Sequence, residues 1–242
     1  MEKVVLVTGG SGDIGRDICR EFANSGWKVA IQYNRGEEAA KALEAELSAL
    51  TSALAVKCDI RNEDEVTAAI AETERKLGKI SCLVNNAGIS QIKLFDEITL
   101  DEWNDMIGVN LTGAFLMTKA CIKNMIWEKQ GSIINISSMW GQVGASCEVH
   151  YSASKGGMIA MTKALAQEVA PSGIRVNCLC PGVIDTKMNS HLTDDEMAEL
   201  KEEIPLGILG TGKDVAEMCL FLAEKGKFIT GQVIGINGGM VL

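Results

Sequence analysis

The sequence predicts a single doubly wound α/β domain, a seven-stranded parallel sheet with helices on both faces. Three observations lead there. Strand-like and helix-like segments alternate along the whole chain, the first strand runs into a glycine-rich turn that opens a helix, and no linker, repeat or low-complexity tract divides the 242 residues.

Lys3 to Thr8 is a short β-branched run ending in glycines, and Asp13 to Ser25 carries apolar residues at helical spacing until Gly26 stops it. The pattern continues with strand 27–32, helix 37–50, strand 54–58, helix 63–77, strand 80–84 and helix 102–127. It closes with strand 132–137, helix 152–170, strand 174–180, helix 212–224 and strand 232–236. Asn62 with Glu65, Thr99 with Glu102 and Thr193 with Glu196 have the spacing of capping boxes and account for much of the acidic excess. Parallel neighbours need right-handed crossovers, so the chain winds both ways from its first strand, with the order 3-2-1-4-5-6-7 expected. The stretch 186–210 has weak periodicity, a proline at 205 and several acids, and is expected to be a substrate lid within the domain.

A hydrophobic fraction of 47% with 23% charged residues excludes a disordered or coiled-coil chain. Net charge of −9 argues against nucleic acid or an anionic membrane surface as the partner. The eight cysteines are dispersed, none in a C-x-x-C pair, and His150 and His191 are the only histidines, so reduced core thiols and no metal are expected. Only four apolar residues precede Thr8-Gly9, too few for a signal peptide or membrane span, which places the protein in the cytosol.

Two motifs carry chemistry. Thr8-Gly9-Gly10-Ser11-Gly12-Asp13-Ile14-Gly15 lies between the first strand and first helix, where glycines let the backbone approach a pyrophosphate and the helix N-terminus meets its charge. Ser137-Ser138 precedes Tyr151-Ser152-Ala153-Ser154-Lys155, and a lysine one turn after a tyrosine puts an ammonium beside the phenol, lowering its pKa. Taken alone, that pair reads equally as an exposed Tyr-Lys couple at a helix start.

In order along the chain come the glycine turn, Asp59, Asn85-Asn86-Ala87-Gly88, Asn110, Ser138, Tyr151 with Lys155, Pro181-Gly182, Ile229-Thr230-Gly231-Gln232 and Asn237-Gly238-Gly239. Together they closely resemble the short-chain dehydrogenase/reductase family, a Rossmann-fold family, over essentially the whole chain and most of all its bacterial 3-oxoacyl-(acyl-carrier-protein) reductase branch. The resemblance implies reduction of a ketone to a secondary alcohol. Tyr151 would protonate the oxygen as the nicotinamide delivers hydride, and Ser138 would hold that oxygen. Lys155 would bind the nicotinamide ribose, and Asn110 would hold a water linking Lys155 to solvent; a buried amide bonded to local backbone is the other reading of Asn110.

For the cofactor, the resemblance implies Gly9, Ser11, Gly12, Ile14 and Gly15 around the pyrophosphate and adenosine ribose, and Asp59 and Ile60 at the adenine. Asn86, Ala87 and Gly88 would border the groove, with Pro181, Gly182, Ile184 and Thr186 at the nicotinamide end. Asp59 reads equally as a turn residue. Gln32-Tyr33-Asn34-Arg35 ends the second strand without an acid, so Arg35 can meet a 2′-phosphate; NADPH is expected ahead of NADH unless Arg35 is only a solvated turn residue. Asp13 stands where the family has its middle glycine and is expected to point outward and cap the helix.

For the substrate, the resemblance implies a small-molecule or carrier-bound ketone, a 3-oxoacyl thioester first. The branch's basic residues at the pocket mouth correspond to Lys129 and Ser172, and Lys123, Lys129 and Arg175 could form a positive patch for an acidic carrier. The segment from Trp140 to His150 should line the mouth, and its Gly-Ala-Ser-Cys-Glu-Val string resembles a sub-branch that reduces a ketone on a lysine of elongation factor P. Sugar or steroid alcohols, and an idle cofactor-binding regulator suggested by Asp13, complete the alternatives. Cys147 is read as inert, His150 as a rim residue, Cys178 and Cys180 as core, and Trp103, Met106, Met117, Met125 and Trp127 as core or subunit contact. Gly156, Gly157, Ala160 and Ala164 make a narrow helix stripe, and the family's assembly implies a homotetramer.

Overall fold

A computed structural model describes residues 3–186 and 193–242. Seven parallel strands, β1 (Val4–Val7), β2 (Lys28–Tyr33), β3 (Ala53–Lys57), β4 (Cys82–Asn85), β5 (Gly131–Ile136), β6 (Ile174–Pro181) and β7 (Val233–Ile236), form one sheet in the order 3-2-1-4-5-6-7. Side chains alternate across the sheet. Val5 and Val7 pack beneath α1 (Asp13–Asn24), α2 (Glu37–Leu47) and α9 (Gly212–Glu224), with Ile18, Phe22, Leu43 and Leu222 fully or nearly buried. Val4 and Leu6 face the opposite layer: α3 (Glu63–Leu77), α5 (Gly113–Glu128) and α7 (Val149–Val169), through Ile70, Met117 and Ala166. Each fully buried aliphatic or aromatic side chain contributes roughly 1.5–3 kcal/mol. The two layers cover both faces of the sheet and leave the C-terminal strand ends, where doubly wound sheets form their sites, open.

The segment expected as one helix over 102–127 is two helices. Capped by a true Thr99/Glu102 box, α4 runs Leu100–Ile107, and a π turn over Gly108–Thr112 separates it from α5. The extra residue of a π turn rotates Asn110 into the interior, an offset that 3.6-residue periodicity does not reveal. Two further helices interrupt stretches read as irregular, α6 (Met139–Val143) and α8 (Asp194–Glu203), the latter started by the expected Thr193/Glu196 box. Asn62 caps α3, but Glu65 turns its carboxylate to the Asp59 N–H instead of closing a box. Of the stretch 186–210, residues 187–192, His191 among them, lie outside the described residues.

A ladder of buried amides ties helices to sheet. Asn85 donates to Asn135 Oδ1 at 2.8 Å and to Thr118 Oγ1 at 3.0 Å, and Asn135 donates to Thr162 Oγ1 at 2.8 Å. It pins α5 and α7 at fixed heights above β4 and β5, which positions everything at the start of α7. Among the described residues no helix is long and apolar enough to cross a membrane.

Candidate active site

Loops at the C-terminal ends of the strands meet where the order reverses between β1 and β4. Gly9 adopts φ +61°, and its N–H donates to Gln32 Oε1 at 3.0 Å, while the Gln32 amide donates to the Cys58 carbonyl at 2.6 Å. This buried glutamine links the ends of β1, β2 and β3, and sequence reading missed it; the signal was a polar residue inside an apolar strand. A Cβ at Gly15 would lie 2.2 Å from the Gly9 carbonyl oxygen and one at Gly9 would lie 2.9 Å from Ala87 Cα, so both positions exclude side chains. Thr8 Oγ1 accepts from the Asn86 and Ala87 N–H groups at 2.9 Å each, and the Asn86 amide donates back to Thr8 O and Gly9 O. The result is a backbone cradle at the N-terminus of α1, whose first-turn N–H groups lack intrahelical acceptors.

Asp13 does not cap this helix. The residue at the N-cap is Gly12, without a side-chain cap, and the Asp13 carboxylate accepts from Arg16 at 2.6 Å. An i, i+3 guanidinium offers a stronger partner than an exposed cap and neutralises the acid beside the cradle. Ser11 lies near Gly36, and Arg35 is exposed just beyond β2. Asp59 is held by the Arg61 guanidinium, which also reaches Asp105 and keeps the Asp59 carboxyl below its ordinary range. Ile60 turns its side chain into the core against Gly113. Pro181 ends β6, Gly182 packs on Asn237 with no room for a Cβ, Ile184 is buried beside Gly210, and Thr186 follows at the rim.

Ser138, Tyr151, Lys155 and Asn110 converge beside this cradle. Ser138 follows β5, accepts from the Trp140 N–H as the cap of α6, and lies close enough to the Tyr151 hydroxyl to favour its ionised form. Lys155 is 3% exposed, lies 5.7 Å from the Tyr151 ring centroid and donates to the Ile136 carbonyl at 2.9 Å. Asn110 is fully buried; its Oδ1 accepts from the Ile89 N–H at 2.8 Å, and its amide donates to the Ile89 carbonyl and to Ser154 Oγ. A methyl group on Gly88 would lie 3.2 Å from Lys155 Nζ and 3.3 Å from Asn110 Oδ1, so lysine and asparagine border one small space.

Electrostatics correct one expectation. The ammonium does not lower the tyrosine: burial pushes Tyr151 up to about 12, opposed by the nearby Ser138 hydroxyl and reinforced by Glu148. Burial likewise brings Lys155 down to about 8, partly offset by the thiols of Cys178 and Cys180. Desolvation outweighs mutual attraction because the ammonium faces the ring and a carbonyl rather than the hydroxyl. A phenol protonated at neutral pH still suits a proton donor.

Other expectations resolve individually. Cys178 and Cys180 are buried free thiols in β6, and Cys147 is a half-buried free thiol with φ +61°. His150 is fully buried rather than at the rim, because the first turn of α7 packs under segment 89–93. Met106, Met117 and Met125 are core, whereas Trp127 is 85% exposed. Of the narrow stripe, Gly157 packs on Leu111 while Ala160 and Ala164 face outward. Lys129 and Ser172 do not stand at the mouth of this chain's own site. They follow the C-terminal ends of α5 and α7, and the 18 helical steps from Tyr151 to Val169 span roughly 27 Å.

The family model for the short chain dehydrogenase matches residues 3–197. The chain belongs to the short chain dehydrogenase family. As a short chain dehydrogenase, an NAD(P)-dependent oxidoreductase, it is 41% identical to a 3-oxoacyl-[acyl-carrier-protein] reductase of Aquifex aeolicus over 98% of this chain and 97% of that one. It is 43% identical to an acetoacetyl-CoA reductase of Rhizobium meliloti over 99% and 98%. A crystal structure of 3-oxoacyl-[acyl-carrier protein] reductase from Brucella melitensis superposes with a TM-score of 0.94 at 33% identity, covering all of this chain and 92% of that one.

The buried lysine gives this short chain dehydrogenase a signature in pH. Its folded pKa lies below the unfolded value of about 10.4, so the folded chain sheds the proton first and stability rises as pH climbs from about 8 toward 10. In denaturant unfolding of the cofactor-free protein, the wild type should gain roughly 2–3 kcal/mol relative to Lys155→Met between pH 7 and 10. A difference that stays constant across that interval contradicts the buried-charge account.

Proposed function

We propose that the protein is a cytoplasmic, homotetrameric, NADPH-dependent ketoreductase whose substrate is a 3-oxoacyl thioester on a carrier protein or coenzyme A. The observation that carries this reading is the juxtaposition of Ser138, Tyr151 and the buried Lys155, whose Nζ lies 5.7 Å from the tyrosine ring, beside a glycine cradle with no room for side chains. The names of the relatives from Aquifex aeolicus and Rhizobium meliloti supply the substrate class. Exposed Trp127, Phe115, Ala160 and Ala164 on neighbouring helices support assembly with further copies.

Gly9, Ser11, Gly12, Ile14 and Gly15 would hold the pyrophosphate and adenosine ribose, with Arg35 on the 2′-phosphate. Asp59 and the Ile60 backbone would border the adenine, and Asn86, Ala87 and Gly88 the middle of the groove. Pro181, Gly182, Ile184 and Thr186 would meet the nicotinamide, and Tyr151 and Lys155 its ribose. When bound, the reduced nicotinamide supplies a hydride to the carbonyl carbon. Ser138 donates a hydrogen bond to the carbonyl oxygen, and Tyr151 transfers its proton there as negative charge develops. Lys155, its ammonium against the phenol ring, would stabilise the phenolate that remains, and a proton would return to that oxygen through water. A water in the space shared by Lys155 and Asn110 at Gly88 would resupply that proton.

Glu148 favours a second substrate. This half-buried carboxylate precedes α7, has its pKa raised by burial, and lies close enough to raise Tyr151 as well. A carboxylate in that position suits a ketone carrying a positive charge, such as the ketone-bearing lysine of elongation factor P, better than an anionic carrier.

Three measurements test these readings. Consumption of NADPH with acetoacetyl thioester should be lost in Tyr151→Phe while cofactor binding is retained; undiminished turnover in that variant refutes the proton-donor role. Arg35→Ala should weaken NADPH about tenfold and leave NADH nearly unchanged, as expected for one charged contact. Glu148→Gln should raise KM about tenfold for an amino ketone and not for the thioester; equal effects on both remove the second reading.

A further inference from the structure

Glu102, the acid of the α4 capping box, does more than cap. Its Oε2 accepts from the Thr99 N–H and hydroxyl, and both oxygens accept from Lys93 Nζ at 2.8 Å. Its Oε1 also accepts from Gln91 Nε2 at 2.9 Å, and these donors hold the carboxyl well below its usual range. An ionised carboxylate only accepts, so the Gln91 amide must present its nitrogen to Glu102 and its oxygen to His150 Nε2, 3.1 Å away. An amide oxygen also only accepts. His150 therefore carries its proton on Nε2, and its buried Nδ1 has no partner.

This fixed tautomer joins two pieces of the site. The Lys93 N–H donates to the Cys147 carbonyl at 2.7 Å, a second tie between the segment after β4 and the start of α7. At its other end the segment is held by Asn110 through both Ile89 bonds. Residues 89–93 are thus strung between Asn110 and the residue next to Tyr151. Gln91 and Lys93 turn inward to Glu102, while Ile92, Leu94 and Phe95 are exposed, giving a polar inner edge and an apolar outer one.

We propose that His150, Gln91 and Glu102 form a positioning relay that holds segment 89–98 against the tyrosine helix and sets how tightly the site receives its ketone. Resting on the reading of Tyr151 as proton donor, the relay acts on substrate placement and leaves the proton transfer to the residues already assigned.

His150→Leu and Gln91→Leu should each raise KM for the ketone about tenfold, the effect of one buried hydrogen bond. In both, kcat should stay within about twofold and cofactor affinity should be unchanged, as for a loss of substrate binding alone. His150→Gln, whose amide can still donate to Gln91 Oε1, should restore KM. Hydrogen exchange at the Ile89 and Lys93 amides should speed up in the leucine variants and slow again in His150→Gln. Unchanged KM and exchange in the leucine variants overturn the relay, as does a glutamine variant no better than leucine. A wild type that reduces no ketone sinks the functional reading alone, and the exchange result then decides the relay.

Discussion

An ammonium taken almost wholly out of water must be surrounded by acceptors, and the site is organised around Lys155. Its Nζ is bonded to the carbonyl of Ile136, the last residue of β5. The lysine's own carbonyl accepts from Ser137 Oγ, so strand end and helix turn are joined in both directions. A Cβ at Gly141 would meet both Ser137 Oγ and the Lys155 carbonyl, and one at Gly88 would crowd the ammonium itself. Small residues on the loop after β4 and in helix α6 are thus required around one buried lysine.

That charge keeps its place only if α7 does not slide along the sheet. The amide ladder from Thr118 through Asn85 and Asn135 to Thr162 prevents this, because each buried amide would lose its partner on a shift of one residue. Thr8 and Asn86 perform the same service between the first and fourth strand ends. Unpaired amides cost more than paired ones contribute, so the network gives position more than stability.

Much of this was legible in the sequence because it rests on local pattern. Alternating strands and helices gave the sheet, and the order of motifs named the glycine turn and the four side chains, Asn110, Ser138, Tyr151 and Lys155, that the fold brings together beside it. Residues whose roles depend on tertiary neighbours were not legible. Asn110 was named, but not the π turn that turns it inward, which looks like uninterrupted helix; Gln32 looks like a lapse in an apolar strand, and Asp13 looks like a cap because Arg16 is three residues away and equally plausible as solvent-facing. The tyrosine's pKa was read with the wrong sign, since spacing along a helix shows a neighbouring cation but not how much water burial removes.

The same division separates reaction class from substrate. Hydride and proton chemistry needs groups held at strand ends and on the first turns of one helix, all rigid elements common to any ketone. In the proposed reading, substrate choice falls to segments 89–98 and 140–148, where one face carries exposed Ile92, Leu94 and Phe95 and another a half-buried Glu148. Apolar surface suits an acyl chain, and a desolvated carboxylate suits a cation. A carboxylate so close to the developing phenolate opposes its ionisation, and a positively charged substrate would cancel that opposition at the moment of proton transfer. A neutral thioester would leave it standing, so the placement of Glu148 bears on rate as well as on binding.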